Sequence, residues 1–143
     1  MQIEEEVLVV AFRTLVVEDH KAFLDHTCFA LRKHPDVEIV GEAQNGLEAV
    51  ERAAALQPDL IILDIGLPGL NGIEAARRIR RIAASTKIVF LSQESSPDIV
   101  HEAFQVGACG YVLKASLTRD LTTALRAIMD GEKFVSEELD GWQ

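Results

Sequence analysis

Cysteine is scarce in this sequence. The two cysteines, Cys28 and Cys109, lie far apart and form no Cys-x-x-Cys pair, which argues against a zinc ribbon or a thiol-redox motif. Two free thiols in a reducing compartment are favoured over a disulfide. The four histidines also fit no zinc spacing. The sequence therefore predicts neither a disulfide scaffold nor a zinc protein.

Long apolar runs are missing as well. The most apolar stretch, Val7 to Val17, is interrupted by Arg13 and Thr14 and falls short of the roughly 18 residues that cross a bilayer. It also has neither the basic start nor the cleavage pattern of a signal peptide. We therefore expect a cytoplasmic chain that has no membrane partner.

Positive charge is in short supply. The sequence has 14 Lys and Arg against 23 Asp and Glu, a formal net charge of -9. Nucleic-acid binding needs a cationic surface, so we do not expect this chain alone to hold DNA or RNA. The basic run from Arg77 to Arg81 is interpreted first as a solvated helix face and second as a contact for an acidic partner.

What the sequence does contain is a regular alternation of short apolar runs and amphipathic stretches. This pattern predicts strands at 14–17, 37–41, 60–63, 87–91 and 110–113, and helices at 20–33, 46–56, 73–82, 97–106 and 117–129. The run Leu60 to Leu63 is apolar on both faces, as a central parallel strand is. Ser96 is expected to cap the helix that Pro97 begins, and Gly131 to end the last helix.

Five strand–helix units in strict alternation predict an α/β fold, with a parallel sheet covered by helices on both faces. The chain of 143 residues, 48% of them hydrophobic, suits one domain, at 13–131. Residues 1–12 form an N-terminal extension, whose apolar stretch Val7–Phe12 could lengthen the first strand, add an edge strand or pack against a second copy. Residues 132–143 form a C-terminal tail or the start of a linker.

Polar residues follow four of the predicted strands. They are Glu18 and Asp19 after the first, Asp64 after the third, Ser92 after the fourth and Lys114 after the fifth. Parallel strands end at one edge of the sheet, where open α/β sheets bind their ligands. The sequence therefore predicts that three acids, a hydroxyl and an amine meet at one rim.

This combination favours metal-assisted phosphoryl transfer. Carboxylates that crowd together need a cation, and an all-oxygen set suits Mg²⁺. A carboxylate can accept a phosphoryl group, and a lysine can pair with its oxygens. Taken singly, each residue has a structural alternative: a helix-capping role for Glu18 and Asp19, an ordinary turn aspartate at Asp64, a solvated surface lysine at Lys114.

Several stretches resemble the receiver domain of two-component response regulators. They are Val16 to His20, Leu60 to Gly72, Val89 to Ser92 and Gly107 to Lys114, and the likeness covers about Arg13 to Gly131. Glu-Asp-His after the first strand and Gly-Tyr-Val-Leu-Lys at the fifth are similar to the NarL/FixJ-type branch. The resemblance implies a (βα)5 flavodoxin-like three-layer sandwich with a five-stranded sheet in the order 2-1-3-4-5.

The resemblance also implies a role for each site residue. Asp64 is the phosphoacceptor, and Lys114 and Ser92 bind the phosphoryl group. Ser92 and Tyr111 form the switch, with a buried core aromatic as the alternative for Tyr111. The Mg²⁺ ligands, for which Mn²⁺ or Ca²⁺ could substitute, are Glu18, Asp19, Asp64 and the Gly66 backbone.

The implied partners are a sensor histidine kinase or a phosphotransfer protein. DNA would be bound only through an output domain that this chain lacks, and a homodimer is left open. The segment from Gly131 to Ser136 resembles the exit segment of full-length regulators, so we expect the chain to be part of a longer protein that regulates transcription.

Five positions depart from the usual receiver pattern or adjoin the site. Ala115 follows Lys114 where many receivers have a cis-proline, and we predict a trans bond because a non-proline cis bond costs about 3–4 kcal/mol. Gln93, which follows Ser92, would narrow the access of the phosphodonor to the site. Gly66 has no side chain, so control of the lifetime of the phosphoryl group would fall to Glu94 and its neighbours. His20 would tune the acidic site beside it.

Three alternatives compete with a phosphoacceptor that is not an enzyme: a pseudo-receiver and two proteins of the same sheet topology, a phosphatase and a flavin binder. A pseudo-receiver would keep the fold as an interaction module without phosphorylation. A dehalogenase-type phosphatase needs an aspartate two residues after the nucleophile, and Gly66 stands there, so this alternative is disfavoured. A flavodoxin-type flavin site needs a phosphate-binding loop after the first strand. Glu18 and Asp19 lie there and would repel phosphate, so this alternative is disfavoured as well.

Overall fold

The computed structural model describes residues 11–139 and 141–142. Its strands are β1 (Phe12–Val17), β2 (Val37–Ala43), β3 (Leu60–Leu63), β4 (Lys87–Ser92), β5 (Gly110–Leu113) and β6 (Phe134–Val135). Its helices are α1 (Lys21–Leu31), α2 (Gly46–Leu56), α3 (Gly72–Ile82), α4 (Pro97–Gln105) and α5 (Leu117–Met129). Single 3-10 turns follow β5 (Lys114–Ser116) and β6 (Glu137–Leu139).

The strands form one parallel sheet in the order β2-β1-β3-β4-β5-β6. The predicted α/β class and the order of the first five strands are confirmed, and β6 is an addition beside β5. A two-residue strand carries no period that a sequence pattern could reveal. Among the described helices, none is both long and apolar enough to cross a membrane.

Two hydrophobic cores lie on opposite faces of the sheet, which makes three layers. One core joins α2, α3 and α4 to the sheet, and the other joins α1 and α5 to it. Strand β3 serves both, since Ile61 and Leu63 lie in the first core and Leu60 and Ile62 in the second. This alternation explains why β3 is apolar throughout.

Side-chain caps set where two helices begin, and both precede a glycine. The amide oxygen of Asn45 accepts a hydrogen bond from the backbone N–H of Glu48 at 2.8 Å, and Asn71 accepts from Glu74 at 3.0 Å. Each bond satisfies an otherwise unpaired first-turn donor. Helix α4 begins at Pro97, after Ser96, as predicted, but the Ser96 side chain makes no capping hydrogen bond. Only the backbone carbonyl of Ser96 takes part, and it accepts a hydrogen bond from the backbone N–H of Val100.

The two ends of the chain differ in what the structure describes. The predicted extension 1–12 lies outside the described residues except for Ala11 and Phe12, and Phe12 begins β1. In the tail, Ser136 is fully buried. Its hydroxyl donates to Asp120 Oδ2 at 2.7 Å and accepts from the Leu113 amide at 3.1 Å. The part of the tail from Phe134 to Leu139 therefore packs onto β5 and α5.

Candidate phosphoacceptor site

Asp64 follows β3 and is only 5% exposed. Its backbone N–H donates to the carbonyl of Val17 at 3.2 Å, which ties the ends of β3 and β1 together. The Gly66 amide approaches Asp64 Oδ1 at 3.4 Å, and Asp64 Oδ2 accepts from Lys114 Nζ at 3.1 Å. Asp64 is thus a carboxylate held at the carboxyl end of the sheet, beside a cation.

Lys114 joins two strand ends that are far apart in sequence. Its Nζ lies 2.5 Å from Glu18 Oε1 as well as 3.1 Å from Asp64 Oδ2, and its side chain is 9% exposed. Glu18 is more deeply buried, at 3% exposed, and its other oxygen accepts from the His20 backbone N–H at 3.1 Å. The predicted convergence of residues after β1, β3 and β5 is present in the structure.

Burial and ion pairing shift the pKa values of Glu18 and Lys114 in opposite directions. Burial raises the pKa of Glu18, and the hydrogen bond from Lys114 offsets part of that rise. For Lys114, burial by itself lowers the pKa, but its bonds to Glu18 and Asp64 outweigh burial and raise the pKa. Lys114 is therefore a permanent cation at neutral pH.

Asp19 supplies a carboxylate oxygen that needs a partner. Its Oδ1 is shielded from solvent and makes no hydrogen bond, although His20 Nδ1 lies 3.3 Å away. Potential ligand atoms of Glu18, Asp19 and His20 lie within 4.8 Å of one another. A buried carboxylate oxygen without a partner is costly, so these oxygens fit a hard divalent cation such as Mg²⁺.

Ser92 and Tyr111 lie in neighbouring strands and meet the same loop. The backbone N–H of Glu94 donates to Ser92 Oγ at 3.0 Å, and the Tyr111 hydroxyl donates to the Glu94 carbonyl at 2.8 Å. Tyr111 is fully buried, and burial raises its pKa to about 12. The loop that begins with the exposed Gln93 is therefore hydrogen-bonded to both residues.

A cavity of about 520 Å³ opens over this rim. Ser92, Gln93, Lys114 and Ala115 line it together with Phe23, whose place in the site the sequence pattern did not indicate. The apolar spacing of α1 gives no sign of a contact between Phe23 and the residue that follows β5. Every described peptide bond is trans, Lys114–Ala115 included, which confirms that prediction.

Comparisons with known proteins point to one family. Residues 14–126 match the response regulator receiver domain family. The chain is 34% identical over 129 residues to the transcriptional regulatory protein LiaR of Bacillus subtilis, covering 90% of this chain and 61% of LiaR. It is 38% identical over 125 residues to the nitrate/nitrite response regulator protein NarL of Escherichia coli, covering 87% of this chain and 58% of NarL.

A solved structure extends the likeness to three dimensions. The isolated REC domain of RcsB from Salmonella enterica serovar Typhimurium, in the presence of the phosphomimetic BeF3-, matches with a TM-score of 0.86 at 26% identity, covering 92% of this chain and 98% of that one. The chain spans about three fifths of the length of the two curated relatives. The chain belongs to the response regulator receiver domain family.

Proposed function

We propose that this chain accepts a phosphoryl group onto Asp64 from a sensor histidine kinase or a phosphotransfer protein. The observation that carries the proposal is the bridge of Lys114 between Glu18 and Asp64, next to an Asp19 oxygen that lacks a hydrogen bond. A nucleophilic carboxylate, a phosphate-binding cation and a set of metal-binding oxygens then share one rim.

The transfer needs no redox partner. A carboxylate oxygen of Asp64 attacks the phosphorus of a phosphohistidine, and the new P–O bond forms as the P–N bond breaks. The donor imidazole leaves and takes up a proton from solvent water. Lys114 moves from Glu18 to a phosphoryl oxygen, and the Ser92 hydroxyl donates to another. Water later hydrolyses the aspartyl phosphate to the carboxylate and inorganic phosphate, so the domain is a switch and not a substrate-turnover enzyme.

The acids would hold Mg²⁺, with Mn²⁺ or Ca²⁺ as substitutes. Oxygens of Glu18, Asp19 and Asp64 and the backbone carbonyl of Gly66 are the proposed ligands. When bound, the ion neutralises charge that develops on the transferred group. Asp19 has the clearest need for it, since its buried Oδ1 makes no hydrogen bond.

We propose that the output is a changed protein-binding face formed by α4, β5 and α5. Ser92 and Tyr111 connect that face to the site because both bond to the backbone of Glu94, just before α4. LiaR is a transcriptional regulatory protein longer than this chain. Regulation of transcription would therefore act through a DNA-binding domain outside this chain, with or without dimerisation of the receiver.

Labelling with a small phosphodonor tests the proposal. Acetyl phosphate with Mg²⁺ should add one phosphoryl group, detected by intact mass and by phosphate-affinity gel, and Asp64→Asn or a chelator should abolish it. Asp130→Asn, an exposed aspartate after α5, is the matched control and should label normally. Unlabelled wild-type protein, or labelling that survives Asp64→Asn, would contradict the proposal.

One observation favours the pseudo-receiver as a second candidate. Lys114 pairs with both Glu18 and Asp64 and offsets one of their two negative charges, and this pairing would help to stabilise a receiver that never binds a metal ion. Failure of millimolar Mg²⁺ to raise the melting temperature, together with unlabelled wild-type protein, would select this alternative.

A further inference from the structure

The ammonium group of Lys114 lies over an aromatic ring as well as between two carboxylates. Its Nζ is 4.7 Å from the centroid of the Phe23 ring. Phe23 lies on α1 and Lys114 follows β5, so the contact joins two elements from opposite ends of the chain. Both side chains line the cavity above the rim.

An aromatic face attracts a cation because its quadrupole places negative charge above the ring, and the attraction grows as water is removed. The Lys114 side chain is only 9% exposed, which favours a strong contact. The Phe23 ring carries no charge and takes no hydrogen bond from the ammonium. Its attraction therefore persists whichever oxygens Lys114 pairs with.

We propose that Phe23 is a positioning residue for Lys114. It holds the ammonium at the rim while Lys114 exchanges Glu18 for a phosphoryl oxygen, and so increases the rate at which Asp64 is phosphorylated. This inference rests on the proposed function, because it assigns Phe23 a role in that same transfer.

Substitutions at two phenylalanines of α1 test the inference. Phe23→Leu keeps an apolar side chain but removes the aromatic face, and should slow labelling by acetyl phosphate at saturating Mg²⁺ about threefold to tenfold. Phe23→Tyr keeps the face and should restore the rate. The matched control is Phe29→Leu: Lys33 Nζ also lies 4.7 Å from the Phe29 ring centroid, but Phe29 is 61% exposed and away from the rim. Its rate should stay at the wild-type value.

A fluorinated series separates the electrostatic role from packing. Phenylalanine with one, two or three ring fluorines, inserted at position 23 alone, weakens the negative face with little change in size. The labelling rate should fall stepwise along the series, and a constant rate would overturn the inference even if Phe23→Leu failed to fold. Unlabelled wild-type protein would overturn the proposed function and this inference together. Labelled wild-type protein with a normal rate in Phe23→Leu would overturn this inference alone.

Discussion

Replacing Gly72 by alanine should destabilise the domain and disturb the phosphoacceptor together. Gly72 begins α3, directly after the loop that follows Asp64. A Cβ at this position would lie 2.0 Å from the carbonyl oxygen of Asp64 and 2.7 Å from Ile65 Cα. The φ of Gly72 is outside the left-handed region, so the cost is steric and not conformational.

The clash is with backbone atoms, which cannot move aside by changing rotamer. The loop between β3 and α3 must shift, and overpacking of this kind costs about 3 kcal/mol. With a urea m-value of about 2 kcal/mol/M for a domain of this size, the unfolding midpoint should fall by about 1.5 M. Trp142 is the single tryptophan, and its ring stacks on that of Phe104 with 4.6 Å between the ring centroids. Because unfolding breaks this contact, the fluorescence of Trp142 reports unfolding.

Gly66→Ala is the control from the same loop. A Cβ at Gly66 would meet no atom within 4 Å, so the free energy of unfolding should change by less than about 0.5 kcal/mol. In Gly72→Ala, folded protein should also label more slowly with acetyl phosphate, because the displaced atom belongs to Asp64. Equal midpoints for the two variants would refute the steric argument.

Three further predictions follow from the described contacts. Tyr111 is the single tyrosine, and burial raises its pKa to about 12, so tyrosinate absorbance should appear near pH 12 in the folded protein and near pH 10 in urea. Because Tyr111 is buried in its neutral form, its contribution to the free energy of unfolding is complete below about pH 10 and is lost as the pH rises towards 12. Ser136→Ala leaves the Leu113 amide without its partner and removes one hydrogen bond to Asp120, whose carboxylate still accepts from Arg119. It should cost about 1–3 kcal/mol in urea unfolding. Lys114→Met leaves two carboxylates without their cation and should cost about 3 kcal/mol without Mg²⁺, while Mg²⁺ should raise its melting temperature more than that of the wild type.

Each of these has a result that contradicts it. The same tyrosinate midpoint in buffer and in urea would mean that Tyr111 is not buried. Ser95→Ala, at an exposed serine, is the control. If Ser136→Ala were as stable as Ser95→Ala, the packing of the tail would not depend on the Ser136 hydroxyl. A smaller Mg²⁺ effect in Lys114→Met than in the wild type would mean that Lys114 and the ion do not compete for the same oxygens.

Much of the fold could be predicted because its determinants are local. Helices α2 and α5 have the predicted bounds, since apolar spacing and end signals coincide there. Strand β1 begins two residues before the predicted Thr14, and β2 extends to Ala43. Strand ends depend on pairing with a neighbour, which a single stretch of sequence does not contain.

The sequence by itself determined which residues stand at the ends of the strands. Because parallel strands finish at one edge, Glu18, Asp64 and Lys114 had to approach one another once the alternation was established. Only the tertiary structure decided which contacts form there: the Lys114 bridge to both acids, its position over Phe23, and the bond from Tyr111 to a backbone carbonyl. These contacts depend on how α1 and the loop after β4 pack against the sheet. Hydrophobic periodicity predicts the elements themselves, but it contains no information about the distances between side chains of elements that are far apart in sequence.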